Sequence, residues 1–346
     1  MAGRAVRVGL AGFGNVGRAF ARLLSERREV LAERYGVEPV LVFIADSRGV
    51  LCGGGGLSWG LVEEALSAPR GGVSGLEGGR PGMSVEEALE ECGVDVLVDA
   101  TPSRYESPGT ALSWWLRVLN SGGAVVTADK APLATSCDRL ERFIRAEPRV
   151  FYKATVMAGT PLIDLLRWGF AGRRVTRVTG ALNGTTVYLL SRAEEGVSYG
   201  EALREAVEKG YAEPDPSADV RGFDLAAKAS IVSCTLGSWV PLDRVEIRAV
   251  VDEEAFSRAR EAAARGRRLR YAAVVEPGRG AYVDLVEAEP GSLFYELRGV
   301  ENAAVVESEE AAPVQVRGPG AGAMATAAAL LADLVEALPF LGGGAP

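Results

Sequence analysis

The stretch Val6-Arg7-Val8-Gly9-Leu10-Ala11-Gly12-Phe13-Gly14-Asn15-Val16-Gly17 opens as an apolar run and ends in three spaced glycines. The run has the composition of a short buried strand, and the glycines mark the turn that follows it. From Arg18 to Arg34, apolar residues at Ala19, Phe20, Leu23, Leu24, Val30 and Leu31 recur at helical spacing. Val40 to Ala45 is a second apolar strand, closed by Asp46. Strand, glycine turn, helix and strand make a βαβ unit, which predicts a parallel sheet.

Working outward, Val94 to Thr101 and Ala124 to Thr127 read as further buried strands, with a helix from about Thr110 to Leu119 between them. The second of these strands delivers Asp129-Lys130 at its C-terminal end, the edge at which open α/β sheets bind ligands. Residues 48–84, with four glycines in a row at 53–56, are expected to be an exposed loop around one short helix, Leu61 to Leu66. The pattern changes after Arg145. Strand-like Val150 to Val156 and Arg174 to Leu182 enclose a helix, Pro161 to Phe170. Helices follow to Gly237, with a long one from about Asp219. Residues 241–312 mix strands and one Arg/Ala-rich helix, and a last helix runs from about Ala321 to Leu338. No internal repeat is visible.

A GxGxxG turn between a strand and a helix lets the backbone approach a pyrophosphate, with the phosphates at the positive helix N-terminus. Gly12, Phe13, Gly14, Asn15, Val16 and Gly17 are therefore candidate cofactor contacts. Asp46 lies 29 residues past Gly17, against about 20 in the usual fingerprint; a longer first helix accounts for the difference. Asp46 would accept bonds from ribose hydroxyls, which favours NAD. Arg48 could instead pair with a 2′-phosphate, or be only a solvated charge. Ser47, Thr101 and Pro102 complete the cofactor set expected at the strand ends.

Composition narrows the chemistry. The 346 residues suit two domains, are 48% hydrophobic and 24% charged, and carry a net charge of −8. An acidic balance argues against nucleic acid as a partner. No run of 18 apolar residues is found, so no membrane span is expected, and the first residues lack the apolar core of a signal peptide. There is no histidine. Ser-His-Asp triads, Cys-His pairs and His-ligated zinc are thus excluded, and general acid/base work falls to Lys, Asp, Glu, Tyr or Cys. Cys52, Cys92, Cys137 and Cys234 show no CxxC or zinc spacing. They are expected as small buried thiols in a reducing cytoplasm. Amides are few (Asn15, Asn120, Asn183, Asn302, Gln315), and four lysines stand among 38 cations. Scarce thermolabile residues suggest a thermophile, although an Arg bias also follows from a GC-rich genome.

The second informative cluster is EPDPSADVRGFDLAAK, residues 213–228. Asp224 and Lys228 are four apart and share a helical face. Leu225, Ala226, Ala227, Ala229, Ile231 and Val232 make that helix apolar nearly all round, which predicts burial, and buried charges need partners or a ligand.

Taken together, these segments resemble homoserine dehydrogenase. The matching segments are GFGNVG (12–17), ADS (45–47), TADK (127–130), ATVMAGTP (154–161), GALNGTT (180–186), EPDPSADVRGFDLAAK (213–228) and GPGAGAMATA (318–327), in family order. The sequence ends after the last helix, so the short form without a regulatory domain or a fused aspartate kinase is expected. The resemblance implies a Rossmann-type doubly wound parallel sheet, residues 1–145 plus 314–346, with an inserted α+β substrate-binding and dimerisation domain, residues 146–313. It implies NAD(P)H as cofactor, L-homoserine and L-aspartate 4-semialdehyde as substrates in threonine and methionine biosynthesis, and a homodimer. It makes Lys228 the proton donor/acceptor on the substrate oxygen and Lys130 the second active-site lysine. Glu213 and Asp224 would hold the substrate, with Asn183, Gly184 and Thr185 lining the cleft, and Gly318 and Gly320 would return beside the cofactor. It also implies a sodium ion on main-chain oxygens of Val156, Ala158 and Thr160. There the chain departs from the family pattern, with Lys153 where Glu is common and Met157 where Gly is common. The physics favours lysine at 130 and 228, because Arg cannot release its proton whereas a desolvated Lys can be tuned toward neutrality.

Two alternatives differ in class. A phosphorylating semialdehyde dehydrogenase would need a cysteine nucleophile, for which Cys137 is the candidate. A non-enzymatic NADH-binding redox sensor would need a partner-reading module.

Overall fold

The apolar run that opens the chain becomes the central strand of a sheet, because Val6, Val8 and Leu10 are buried and neighbouring strands flank it on both sides. The computed structural model describes residues 4–341. The chain divides into two compact units, one formed by 1–132, 138–155 and 322–346, the other by 133–137 and 156–321. The outermost residues of the expected first domain, 1–3 and 342–346, lie outside the described residues.

In the first unit the elements are β1 (Arg4–Ala11), α1 (Asn15–Tyr35), β2 (Val37–Asp46), β3 (Gly49–Cys52), α2 (Trp59–Ser67), β4 (Gly79–Pro81), α3 (Val85–Cys92), β5 (Val96–Asp99), α4 (Gly109–Asn120), β6 (Ala124–Thr127), α5 (Ala131–Arg145) and β7 (Val150–Phe151), and the C-terminal helix Ala323–Ala337 returns to it. Residues 133–137 of α5, which include a kink at Ser136, cluster with the second unit. The sheet order is β4-β3-β2-β1-β5-β6-β7. Strands β2, β1, β5, β6 and β7 run parallel, while β3 pairs antiparallel with β2 and β4 antiparallel with β3. The parallel doubly wound reading therefore holds, with two additions. Residues 48–84 are not simply an exposed loop: they supply β3 and β4, and Val50 and Leu51 are fully buried. The glycine-rich reading hid a short apolar run. Helix α3, opened by a Ser84–Glu87 capping box, also has no counterpart in the sequence reading.

Ala323–Phe340 is long and apolar enough to cross a membrane by length and composition, although Asp333 and Glu336 interrupt the apolar run. In the unit it presents Ala327, Leu330, Leu334 and Ala337 to the same core as Phe20, Leu24 and Val98, as a core helix does.

The second unit holds α6 (Leu162–Asp164), β8 (Val175–Ala181), α7 (Gly184–Glu194), α8 (Tyr199–Glu208), α9 (Ser217–Val220), α10 (Phe223–Thr235), β9 (Glu246–Ile247), α11 (Glu253–Ala264), β10 (Arg268–Glu276), β11 (Gly280–Ala288), β12 (Glu301–Ser308) and β13 (Val314–Pro319). Its sheet order is β13-β12-β8-β10-β11-β9, and β10 and β11 form a long antiparallel hairpin. Because β13 pairs with β12, the chain leaves this unit at about residue 322 rather than 314. Strand β7 covers two residues and is followed by a 3-10 turn, not the longer strand expected to Val156.

The cysteines are paired, Cys52 with Cys92 and Cys137 with Cys234, and no free thiol remains among the described residues. The reduced-thiol expectation is overturned. Separations of 40 and 97 residues carry no local signal. Only the β3–α3 and α5–α10 juxtapositions bring the sulfurs together.

Candidate active site

Each unit holds one part of the chemistry. In the first, the glycine turn joins β1 to α1. Gly12 takes φ +90, and a Cβ there would meet the Ala100 carbonyl at 2.6 Å; a Cβ on Gly17 would meet the Gly12 carbonyl oxygen at 1.9 Å. A Cβ on Gly14 would meet nothing within 4 Å. The outer glycines thus close the turn, and the middle one faces open space. Gly14 also caps α1 without a side-chain bond, and the first turn of α1 holds no acidic residue, so its N–H groups face an anion site unopposed. The turn fits a dinucleotide pyrophosphate.

The side chains around it divide by role. Phe13 is buried under the Arg18 guanidinium, 4.7 Å from its ring centre, so only its backbone can serve a ligand. Val16 is half-buried, and the Asn15 Oδ1 accepts from Arg70. Asp46, half-buried at the end of β2, already accepts one backbone N–H on each carboxylate oxygen. Its Oδ1 accepts from the Arg48 N–H at 2.9 Å and its Oδ2 from the Val73 N–H at 3.1 Å. Ser47 and Arg48 are exposed, and no acidic partner of Arg48 is found among the described residues.

At the ends of β5 and β6, sequence reasoning missed a buried carboxylate pair. Asp99 is fully buried and accepts from Thr101 N (3.0 Å), Thr101 Oγ1 (2.6 Å) and the Trp115 indole (2.9 Å). Thr101 is thereby committed, and Pro102 is exposed. Asp129 accepts from the Ala131 N–H, and the next residue, Lys130, donates its N–H to Ser103 Oγ at 2.8 Å. Burial pushes the Asp99 carboxyl up. Burial and then the Asp99 charge push Asp129 up to about 7. The readable signal was a carboxylate ending each of two adjacent buried strands.

A carboxyl raised on folding binds more protons folded than unfolded. Stability should therefore fall as pH rises from about 4 to about 7 and stay low above. Asp129→Asn keeps the acceptor for Ala131. It is expected to flatten that decline and to leave the variant more stable than the parent at pH 8. Urea titrations at pH 5 and 8 with parallel slopes would contradict this when the parent is no less stable at pH 8.

In the second unit the observed local structure differs from a single long helix. Gly222, at φ +83, separates α9 from α10, and a Cβ there would strike the Tyr271 hydroxyl at 2.1 Å. The break matters because Asp219 and Asp224 would point about 140° apart on one continuous helix. Here both reach Asn183, whose Nδ2 donates to Asp219 Oδ1 (2.6 Å) and Asp224 Oδ2 (3.0 Å). Asn183 also caps α7 by accepting from Thr186 N. Its carboxamide is thus a strut between two carboxylates rather than a free lining group. Thr185 donates to the Tyr211 carbonyl, and Gly184 leaves no room for a side chain, with Val300 O 2.6 Å from where a Cβ would sit.

Lys228 is buried at 7% exposure on α10. Its ammonium donates to the Leu182 carbonyl (2.5 Å) and pairs with Asp224 Oδ2 (2.7 Å). Asp219, absent from the expected site, is raised by burial and by the like charge of Asp224. Two carboxylates and one ammonium leave this buried cluster one negative charge in excess when all are ionised. Such a site suits the ammonium of an amino acid. Glu213 is exposed and joins none of these bonds.

The family model for homoserine dehydrogenase matches residues 161–335. The homoserine dehydrogenase of Sulfurisphaera tokodaii is 31% identical over 328 residues, spanning 94% of this chain and 96% of that one. The chain belongs to the homoserine dehydrogenase family. The NAD(+)-dependent homoserine dehydrogenase of Pseudomonas canavaninivorans is 32% identical, covering 95% of each chain. Among solved structures, a putative homoserine dehydrogenase from Archaeoglobus fulgidus superposes with a TM-score of 0.83 at 29% identity, over 97% of this chain and 100% of that one. A hyperthermophilic archaeal homoserine dehydrogenase in complex with NADPH gives 0.82 at 28% identity, over 98% and 99%.

Membership makes the protein an NAD(P)-dependent oxidoreductase that interconverts L-homoserine and L-aspartate 4-semialdehyde. The phosphorylating alternative loses its nucleophile, since Cys137 is buried in a disulfide. The sodium position implied by the resemblance lies on the turn 156–160 of the second unit. The Thr160 carbonyl already accepts from Leu162 N, and Thr160 Oγ1 donates to Pro319 O. Met157 and Ala158 both adopt positive φ. Within the first unit the Lys153 ammonium pairs with Glu336 (2.8 Å) and Asp333 (3.5 Å). No chemical step is assigned to an ion.

Proposed function

We propose that Lys228 is the group that moves the proton in homoserine oxidation and semialdehyde reduction. The observation that carries this is the anchoring of its ammonium. Two of its three N–H directions are held by Leu182 O and Asp224, which fixes where the third points. A bound nicotinamide supplies or accepts the hydride. As the aldehyde carbon gains it, charge develops on the carbonyl oxygen, and Lys228 hands that oxygen a proton; oxidation runs the same transfer backward. Asp219 and Asp224 supply the negative charge that holds the substrate ammonium, and Asn183 keeps the two carboxylates in place. Lys130, in the first unit, is assigned the supporting positive charge. Glu213 would have to turn inward to contribute, so it is the weakest member of the expected set. The direct test is absorbance at 340 nm from purified protein with homoserine and NAD or NADP, and a protein inert with both would sink the assignment.

For the cofactor we read the turn at 46–48 as favouring NADP, because the Arg48 guanidinium is exposed with no acidic partner among the described residues, while each Asp46 oxygen already accepts one backbone N–H. Arg48→Ala should weaken NADP by about 1.5–3 kcal/mol, the scale of a hydrogen bond to a charged group, and leave NAD nearly unchanged. Equal small losses for both cofactors, measured as KM, would show that this turn does not read the ribose. A homodimer, a cytoplasmic setting and a thermophilic source belong to the same reading. Two intracellular disulfides are in keeping with the last, since hyperthermophiles retain such bonds.

A further inference from the structure

The sheet of the first unit reverses its strand order at one place. From β1 the chain steps outward through β2, β3 and β4, then returns to the other flank of β1 for β5, β6 and β7. In an open α/β sheet the ligand crevice lies at that reversal, outside the carboxyl ends of the strands. The glycine turn leaves β1 at this end and abuts β5: a Cβ on Gly12 would fall 2.6 Å from the Ala100 carbonyl and from the Thr101 nitrogen. The turn at 46–48 ends β2, on the opposite flank. A dinucleotide with its pyrophosphate on the glycine turn and its adenosine half over β2 therefore lays its nicotinamide half over the ends of β5 and β6, all within this unit.

Those two ends hold the buried carboxylates that the proton step does not use. Asp99 is fully buried and Asp129 is 2% exposed. Thr127 Oγ1 lies between them, donating to the Asp99 carbonyl (3.3 Å) and accepting from the Asp129 N–H (2.9 Å). Ser103 Oγ hydrogen-bonds the Asp129 carboxyl and accepts from the Lys130 N–H, so the loops after β5 and β6 are tied together. Around the pair, α4 presents the neutral Trp115 indole, the β5 loop Thr101 and Ser103, β1 ends in Ala11, and α5 brings Lys130; Arg104 and Glu106 of the β5 loop are exposed. Two adjacent buried charges cost more than one, which is why Asp129 is pushed up to about 7 and changes charge within the neutral range. The oxidised nicotinamide ring is a cation and the reduced ring is neutral, while the rest of the dinucleotide is the same in both. We propose that Asp129 sets which redox form of the cofactor this unit prefers, its carboxylate favouring the oxidised ring and its protonated form favouring neither. Asp129 touches no reacting atom and acts through its charge; binding of the oxidised form releases its proton to solvent. The inference rests on the dehydrogenase reading.

The test is calorimetric titration of the full-length protein with NADP against NADPH, and with NAD against NADH, at pH 6 and pH 8. Each pair shares its phosphates, so their own titration cancels in the ratio of the two Kd values. In the parent, Kd of the oxidised form divided by Kd of the reduced form should fall about fivefold from pH 6 to pH 8, the scale of one charge pair across a partly screened interior. Asp129→Asn keeps an acceptor for Ala131 and removes the charge, so its ratio should stay level between the two pH values. Ser103→Ala cuts the tie to the Lys130 N–H and leaves the carboxyl, so both Kd values should rise together while the ratio still falls with pH. The proposal is overturned if the parental ratio is level, if Asp129→Asn retains the fall, or if Ser103→Ala abolishes it, since the last would make Asp129 a structural prop and not a charge. A parent protein that binds none of the four dinucleotides would sink the underlying reading instead.

Discussion

Lys228→Arg is expected to lower kcat by about 10²–10⁴-fold, the usual worth of positioned acid/base catalysis. The substitution keeps the positive charge opposite Asp224, so a purely electrostatic partner would be largely preserved. It removes the capacity to release a proton, because a guanidinium stays charged in proteins. It also has to place a planar fork where a single ammonium bonds Leu182 O and Asp224 Oδ2. Cofactor KM should hardly change. The thermal midpoint separates chemistry from folding, since a variant that melts like the parent and turns over slowly has lost the proton step. Lys209→Arg is the control. Lys209 ends α8, is exposed, and donates to the Tyr188 hydroxyl at 2.8 Å, so its replacement should leave turnover near parental. Near-normal kcat in Lys228→Arg would make Lys228 only the ion-pair partner of Asp224, and the proton would have to come from elsewhere.

Opening the Cys137–Cys234 bond should cost about 2–4 kcal/mol of stability, because it closes the longer of the two loops, with partners 97 residues apart. At about 2–4 °C per kcal/mol for a domain of this size, Tm should drop by roughly 5–15 °C in the Cys137→Ala/Cys234→Ala double variant. The bond ties α5 to the last turn of α10, the helix that carries Asp224 and Lys228. Ser230 on the same helix donates to the Ala134 carbonyl at 2.9 Å. The double variant should therefore lose activity on heating before it unfolds globally. Four thiols titrating in unfolded, never-reduced protein would show that neither bond forms, and an unchanged Tm in the double variant would show that this one contributes nothing.

The sequence alone determined the βαβ start, the parallel sheet and the dinucleotide turn. Each depends on local periodicity or on three glycines within six residues, which no tertiary contact can conceal. It also singled out Asp224 and Lys228, since charges on an otherwise apolar helix are legible as buried and paired. The resemblance carried the family. Three things were decided only by the tertiary structure, because they depend on residues far apart in the chain. Asp219 joined the site because Gly222, at φ +83, breaks the helix, and the Tyr271 hydroxyl from β10 leaves no room for a side chain there. Asp46 gained the Val73 N–H as a partner because β3, β4 and the turn between them formed within a segment whose glycines read as loop. The cysteines became disulfides because β3 meets α3 and α5 meets α10. Short-range pattern records what a residue prefers, whereas whether a carboxylate or a thiol is free depends on which distant element arrives beside it.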